Sequence, residues 1–216
     1  MNARRKPRLV VFAHLCNADF VTGAEKLTAF MLRELAAWYE CVLAVPAEGR
    51  IAEDARAAGF RTVVLPLPLA VSLYLGLPHW RQELRDGMAG EPFRQLVRWL
   101  ASEEPAAVVV ATCVHPLPAV AARALGIPVI WAVMETMRET EHTPGIVAFM
   151  GAHADRIVGI SGSVLAPFRL PEVQVKTALL PPSWDERELR PEEWPMHRDS
   201  VRRMLGVDGA QPLVGF

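Results

Sequence analysis

Thr22-Gly23-Ala24-Glu25 has the composition of a turn that can receive an anion. It joins the apolar run Leu9-Val-Val-Phe-Ala13 to a segment in which Leu27, Phe30, Met31, Leu35 and Trp38 recur at helical spacing. Thr22 and Glu25 stand three apart, the spacing of a capping box, so Thr22 caps the helix start and Glu25 reaches back to its backbone. The N–H groups near Gly23 then point toward the carboxyl edge of the sheet, where a negative charge can meet them. His115 stands just beyond the run Val108-Val-Val-Ala-Thr-Cys-Val114 and can donate or accept a hydrogen bond near neutral pH. A histidine satisfied by local backbone is the structural alternative. Glu135 follows Val129-Ile-Trp-Ala-Val-Met134 and can bind a hydroxyl or act as a base, or can simply be solvated. Ser161, in Ser161-Gly-Ser163, serves either a ligand or a helix start.

Such residues act only if the chain brings strand ends together. Strand-like and helix-like segments alternate, the pattern of an α/β, Rossmann-like, doubly wound parallel sheet of about seven strands with helices on both faces. Strands are expected near 8–14, 40–45, 61–65, 106–112, 127–133, 156–160 and 175–180. Helices are expected near 23–39, 50–58, 92–102, 117–125, 144–153 and 162–169. Gly59 and Gly126 each follow an alanine-rich helix and suit a left-handed stop, and Thr143-Pro144 suits a helix start. The proline-punctuated stretch from Leu65 to Pro78 predicts a long loop with a short helix. Trp38 and Trp99 fall on core faces of their helices, and Trp80 stands with His79 and Arg81 in the long loop.

The chain has 216 residues, 51% hydrophobic and 22% charged, enough to build a sizeable core. A formal net charge of -1 argues against a nucleic-acid binder held by bulk electrostatics. No apolar run is long enough to span a bilayer, and the basic N-terminus leads into a strand rather than a cleavable signal, which predicts a cytoplasmic protein. Cys16, Cys41 and Cys113 form no CxxC pair and are expected to be reduced, with no metal site. After Leu180 the charged, proline-marked stretch 182–211 has the character of a linker, with a short helix near 198–205 and Trp184 and Trp194 at its flanks. Residues 212–216 are expected to open a second domain after an N-terminal domain of residues 1–181.

The ordered set Thr22-Gly-Ala-Glu-Lys26, Val45-Pro46, Gly59-Phe-Arg-Thr-Val-Val-Leu-Pro66, Gly126-Ile-Pro-Val-Ile130 and Ala154-Asp-Arg-Ile-Val-Gly-Ile-Ser161 resembles the N-terminal, acceptor-side domain of family 4 glycosyltransferases. That resemblance implies GT-B architecture and a retaining hexosyltransferase that moves a sugar from a nucleotide-sugar donor, a co-substrate, without a cofactor. Gly23 and Ala24 would approach the donor phosphate, with Thr22 and Glu25 beside them. His115 would hydrogen-bond the transferred sugar, Glu135 would serve the acceptor, and Ser161 and Trp80 are further candidates for substrate contact. The acceptor is an unknown sugar, lipid-linked or small molecule. The apolar loop with Arg81, Arg85, Arg94 and Arg98 would suit a place at the inner membrane face, although solvated helix surfaces explain those arginines equally.

The chain departs from the family pattern at three places. Thr22-Gly23 stands where two glycines are common, Met134 where a histidine is common, and Leu180-Pro-Pro-Ser-Trp-Asp185 replaces the usual linker motif. The donor clamp of such enzymes lies mostly in the C-terminal domain, so this fragment is expected to be inactive alone. Two rivals remain. A nicotinamide oxidoreductase would want G-x-G-x-x-G after the first strand, where this chain has one glycine. A non-catalytic α/β ligand-binding module would share the same layout.

Overall fold

Seven short runs of valine, isoleucine, leucine and alanine form one parallel sheet in the computed structural model, which describes residues 6–183, 189–207, 209 and 211–213. The strands are β1 (Arg8–Phe12), β2 (Glu40–Val45), β3 (Arg61–Val64), β4 (Ala107–Ala111), β5 (Val129–Val133), β6 (Arg156–Gly159) and β7 (Thr177–Leu179). Their order is β3-β2-β1-β4-β5-β6-β7, and every neighbouring pair is parallel. The central strands are apolar almost throughout because both their faces are covered; Val10, Val11, Val108 and Val110 are at most 0% exposed. The chain therefore winds outward twice from the β1/β4 junction, and that junction is the topological switch point.

One core packs Phe12, Trp80, Leu96, Leu100, Val110, Trp131 and Ile146 on one face of the sheet. The other packs Val11, Leu32, Leu43, Ile51 and Val109. The helices are α1 (Gly23–Leu35), α2 (Arg50–Ala57), α3 (Val71–Leu75), α4 (Trp80–Ala89), α5 (Glu91–Glu103), α6 (Pro116–Ala124), α7 (Thr143–His153), α8 (Gly162–Leu165) and α9 (Pro171–Gln174). Gly59 and Gly126 do adopt the left-handed conformation, at φ 85° and 71°, which lets the chain leave α2 and α6 toward the next strand.

Three local expectations change. The side of α1 turned to the sheet carries Glu25, Thr28 and Leu32, because the helix ends at Leu35 and Trp38 falls in the following turn, 64% exposed. The punctuated stretch does hold a short helix, α3, but Trp80 belongs to the regular helix α4, where it shares the buried face with Leu84 one turn on. The helix expected over 162–169 stops at Leu165, two residues before Pro167, and α9 is additional.

The chain divides into two units, residues 1–182 and 183–216. The second contains a 3₁₀ turn, Pro191–Glu193, and α10 (Trp194–Met204), which begins earlier than the helix expected near 198–205. Residues 214–216 of the strand expected at 212–216, and Trp184 of the connector, lie outside the described residues. Among the described residues no helix is long and apolar enough to cross a membrane.

Candidate functional site

The sheet register carries the end of β1 alongside the end of β4, with Phe12 opposite Val110, and β4 alongside β5, with Ala111 opposite Ala132. The turns that leave these three strands hold His14, Thr112, Cys113, His115 and Glu135. The β1 turn continues into α1, so the helix N-terminus opens beside the switch point, the usual ligand crevice of an open α/β sheet.

Glu25 organises that turn. Thr22 accepts a hydrogen bond from Glu25 N at 3.3 Å and Glu25 Oε2 accepts from Thr22 N at 2.8 Å, which completes the expected capping box. Glu25 also accepts from the backbone N of Asn17 at 3.3 Å and from its Nδ2 at 3.1 Å. The carboxylate is only 1% exposed, so it is a buried latch for residues 14–22 rather than a group presented to ligand. With the Glu25 amide capped by Thr22, the amides of Gly23 and Ala24 make no hydrogen bond among the described residues. Gly23 is exposed, and a Cβ built on it would meet nothing within 4 Å. Two free N–H groups at the positive end of a 13-residue helix form an anion-receptive surface.

The β4 turn is strained. Thr112 has φ 72°, a left-handed conformation that a β-branched residue rarely adopts. Its amide donates to Ala132 O at 2.7 Å and its carbonyl accepts from Trp131 Nε1 at 2.7 Å, so the neighbouring strand holds it in place. Among the described residues its Oγ1 is buried without a partner, as are both ring nitrogens of His115. His115 is 1% exposed and packs edge-on to Phe12, with centroids 6.2 Å apart. Burial, and secondarily the neighbouring His14, push its pKa down to about 3, so the ring is neutral.

Glu135 bridges β4 and β5. Its Oε1 accepts from Cys113 N at 2.5 Å and its Oε2 from Met134 N at 3.0 Å, so both oxygens are engaged with backbone. Burial first, then the adjacent Glu135 carboxylate, raise the pKa of the Cys113 thiol, which stays protonated. His14 is half-buried, and its ring makes no hydrogen bond among the described residues. Its pKa is lowered by burial, opposed by the charges of Glu135 and Glu25.

The structure therefore gathers Thr22, Gly23, Ala24, Glu25 and Glu135 at one rim, and seals His115 beneath it, which corrects the expectation that its ring meets the transferred sugar. Two candidates fall elsewhere. Ser161 caps α8, accepting from Val164 N at 3.3 Å and pairing with Ser163 Oγ at 2.8 Å, in the turn after β6, which β5 separates from β4. Trp80 is 3% exposed and packs on Phe149 of α7, with centroids 5.7 Å apart and the Arg81 guanidinium 4.3 Å from its ring centre. It is a core residue, which corrects the expectation of a loop tryptophan open to ligand. The sequence reading missed His14, although it stands only two residues past the first strand, closer than His115 stands to the fourth. It also missed Thr112, whose positive φ leaves no signature in a threonine.

Comparison with solved structures bears out the fold. The crystal structure of Anabaena HepE in complex with UDP and glucose matches over 90% of this chain and 50% of its own length, with a TM-score of 0.64 and 12% identity. The chain shares the Rossmann-like fold of that half-molecule. A glycosyltransferase from Rickettsia africae matches over 96% of this chain and 51% of its own, with a TM-score of 0.61 and 8% identity. MurG of Acinetobacter baumannii matches over 83% and 47%, with a TM-score of 0.52 and 12% identity. The chain thus spans about half the length of the structures it matches. No protein-family model and no curated protein sequence matches it.

Proposed function

We propose that this chain is the acceptor-side half of a retaining, family 4 type glycosyltransferase of GT-B architecture, with a nucleotide-sugar donor and a cytoplasmic setting. The observation that carries the reading is the pair of free amides at Gly23 and Ala24, open beside the switch point. The fold likeness to half of a structure holding UDP and glucose supports it. The two amides would receive a phosphoryl oxygen of the donor and stabilise the charge that grows on the leaving diphosphate. A second domain would supply the cationic remainder of that clamp and close the cleft, so residues 1–216 alone would turn over no donor. The acceptor, a sugar or a lipid-linked or small molecule, would lie along the rim by the Glu135 turn, while His115, expected at the transferred sugar, is sealed beneath and would only pack that rim. Because Glu135 spends both oxygens on backbone amides, its part would be to hold the β4 and β5 turns in register.

The test uses the complete protein with a panel of nucleotide sugars, UDP-glucose first, and measures release of the nucleoside diphosphate. Donor turnover that falls at least tenfold in Gly23→Val, with the melting temperature of that variant unchanged, is the expected result; a valine there adds bulk only toward open space. Product NMR then reads the anomeric configuration, which retention requires to match the donor. Binding of nucleotide sugar without any turnover would return the protein to a non-catalytic module. Undiminished turnover in folded Gly23→Val would remove the phosphate role.

A further inference from the structure

Several chemically able groups meet at the β1/β4 rim, and most are already committed. The Glu25 and Glu135 carboxylates are held by backbone amides. The ring nitrogens of His115 and the Thr112 hydroxyl are buried away from any ligand surface. The Cys113 thiol is fully buried and protonated. His14 differs from all of them. It stands directly after Ala13, whose amide donates to Ala44 O at 2.9 Å, so the sheet ladder reaches the residue before it. Its ring is half-exposed and has no hydrogen bond among the described residues.

We infer that His14 is the residue of this rim that contacts substrate, accepting a hydrogen bond from a hydroxyl of the sugar. The inference rests on the glycosyltransferase reading and names a contact within it. The groups that face His14 set its chemistry: Glu25 from α1, Glu135 from the β5 turn and His115 from the β4 turn. Two carboxylates nearby disfavour a further anion beside the ring, so a neutral hydroxyl is the better partner. Burial outweighs those carboxylates and holds the ring neutral at pH 7, leaving one nitrogen free to accept. His115, sealed beneath, packs the rim from below without reaching it.

Two measurements test this. NMR titration of the imidazoles in the 216-residue chain should show His14 protonating below its ordinary value of 6.5, while His115 stays neutral well below that. A His14 midpoint at or above 6.5 overturns the inference, since burial would then fail to outweigh the two carboxylates that favour the cation over the accepting neutral ring. This arm stands whether or not the protein proves to be a transferase. In the complete protein, release of UDP from UDP-glucose establishes the parent reading, and variants then test the contact. His14→Ala should lower kcat/KM about tenfold, the worth of one lost hydrogen bond. Wild-type kcat/KM should fall as acid protonates the ring, and His14→Gln, which keeps an acceptor that does not titrate, should recover much of the activity and lose that acid limb. An unchanged His14→Ala, or a His14→Gln that keeps the wild-type acid limb, refutes the contact. If His14→Ala fails to fold, the His14→Gln profile decides.

Discussion

Replacing Glu25 by alanine tests whether a buried carboxylate latches the loop that forms the site. The side chain is 1% exposed and accepts three hydrogen bonds, from Asn17 N, Asn17 Nδ2 and Thr22 N, at 3.3, 3.1 and 2.8 Å. Hydrogen bonds to a charged acceptor contribute about 1.5–3 kcal/mol each, and donors left buried cost a similar amount. Not all three are lost in full. Asn17 Nδ2 can turn toward water, and the Thr22 to Glu25 N bond survives because it uses backbone. The two backbone donors dominate, so the expected loss is about 4 kcal/mol. For a domain of this size that corresponds to a fall in melting temperature of roughly 8–16 °C. Urea unfolding gives the free energy, and hydrogen exchange at the amides of Asn17 and Thr22 reports the latch itself. Glu25→Gln should fall between, because the amide keeps an acceptor but turns an NH₂ toward a cluster of donors. A loss below about 1 kcal/mol in Glu25→Ala, with both amides still protected, would refute the latch, since a surface side chain costs no more than that.

Gly49→Ala should disturb the same loop from the other side. Its Cβ would lie 2.5 Å from Asn17 O, a backbone atom that also accepts from Arg50 N at 2.8 Å, so the loop must move. Chemical unfolding should show a loss of about 1–3 kcal/mol, and the Asn17 and Thr22 amide resonances should shift. At the opposite edge of the sheet, Glu103 pairs with Arg61 at 2.6 Å and Arg8 at 2.9 Å. Those partners, Arg61 foremost, hold its pKa below the ordinary 4.5. Its contribution is therefore complete above pH 4.5 and disappears as pH falls through the depressed folded value. Unfolding midpoints measured from pH 7 to pH 2 should show Glu103→Gln less stable than wild type at neutral pH, with the gap closing in acid. A gap that stays constant across that range would assign the loss to packing.

The sheet was legible because its central strands are buried on both faces and read as nearly continuous apolar runs, and the shorter edge strands keep enough of that composition to be placed beside them. Burial imposes that composition whatever lies around it, and all seven runs become strands. Helix ends were legible where a single residue decides them: Thr22 with Glu25, Gly59 and Gly126 act locally, through a cap or a left-handed φ. Trp80 illustrates what escapes. Its neighbours Pro78 and His79 argue for a loop, and only the distant Phe149 and Leu84 bury it on α4. The site divides along the same line. That Gly23 opens a helix follows from four adjacent residues, whereas the freedom of its amide depends on Glu25 being drawn inward by Asn17. His14 and His115 both follow parallel strands, two and four residues past their ends, yet one is half-open and the other sealed: α6 begins immediately after His115, while the chain runs on through eight residues between His14 and α1. A short connection folds its first side chain under the helix; a long one leaves it at the rim. That difference in connection length, visible in the sequence as the distance from strand to helix start, is what separates the sealed histidine from the half-open one.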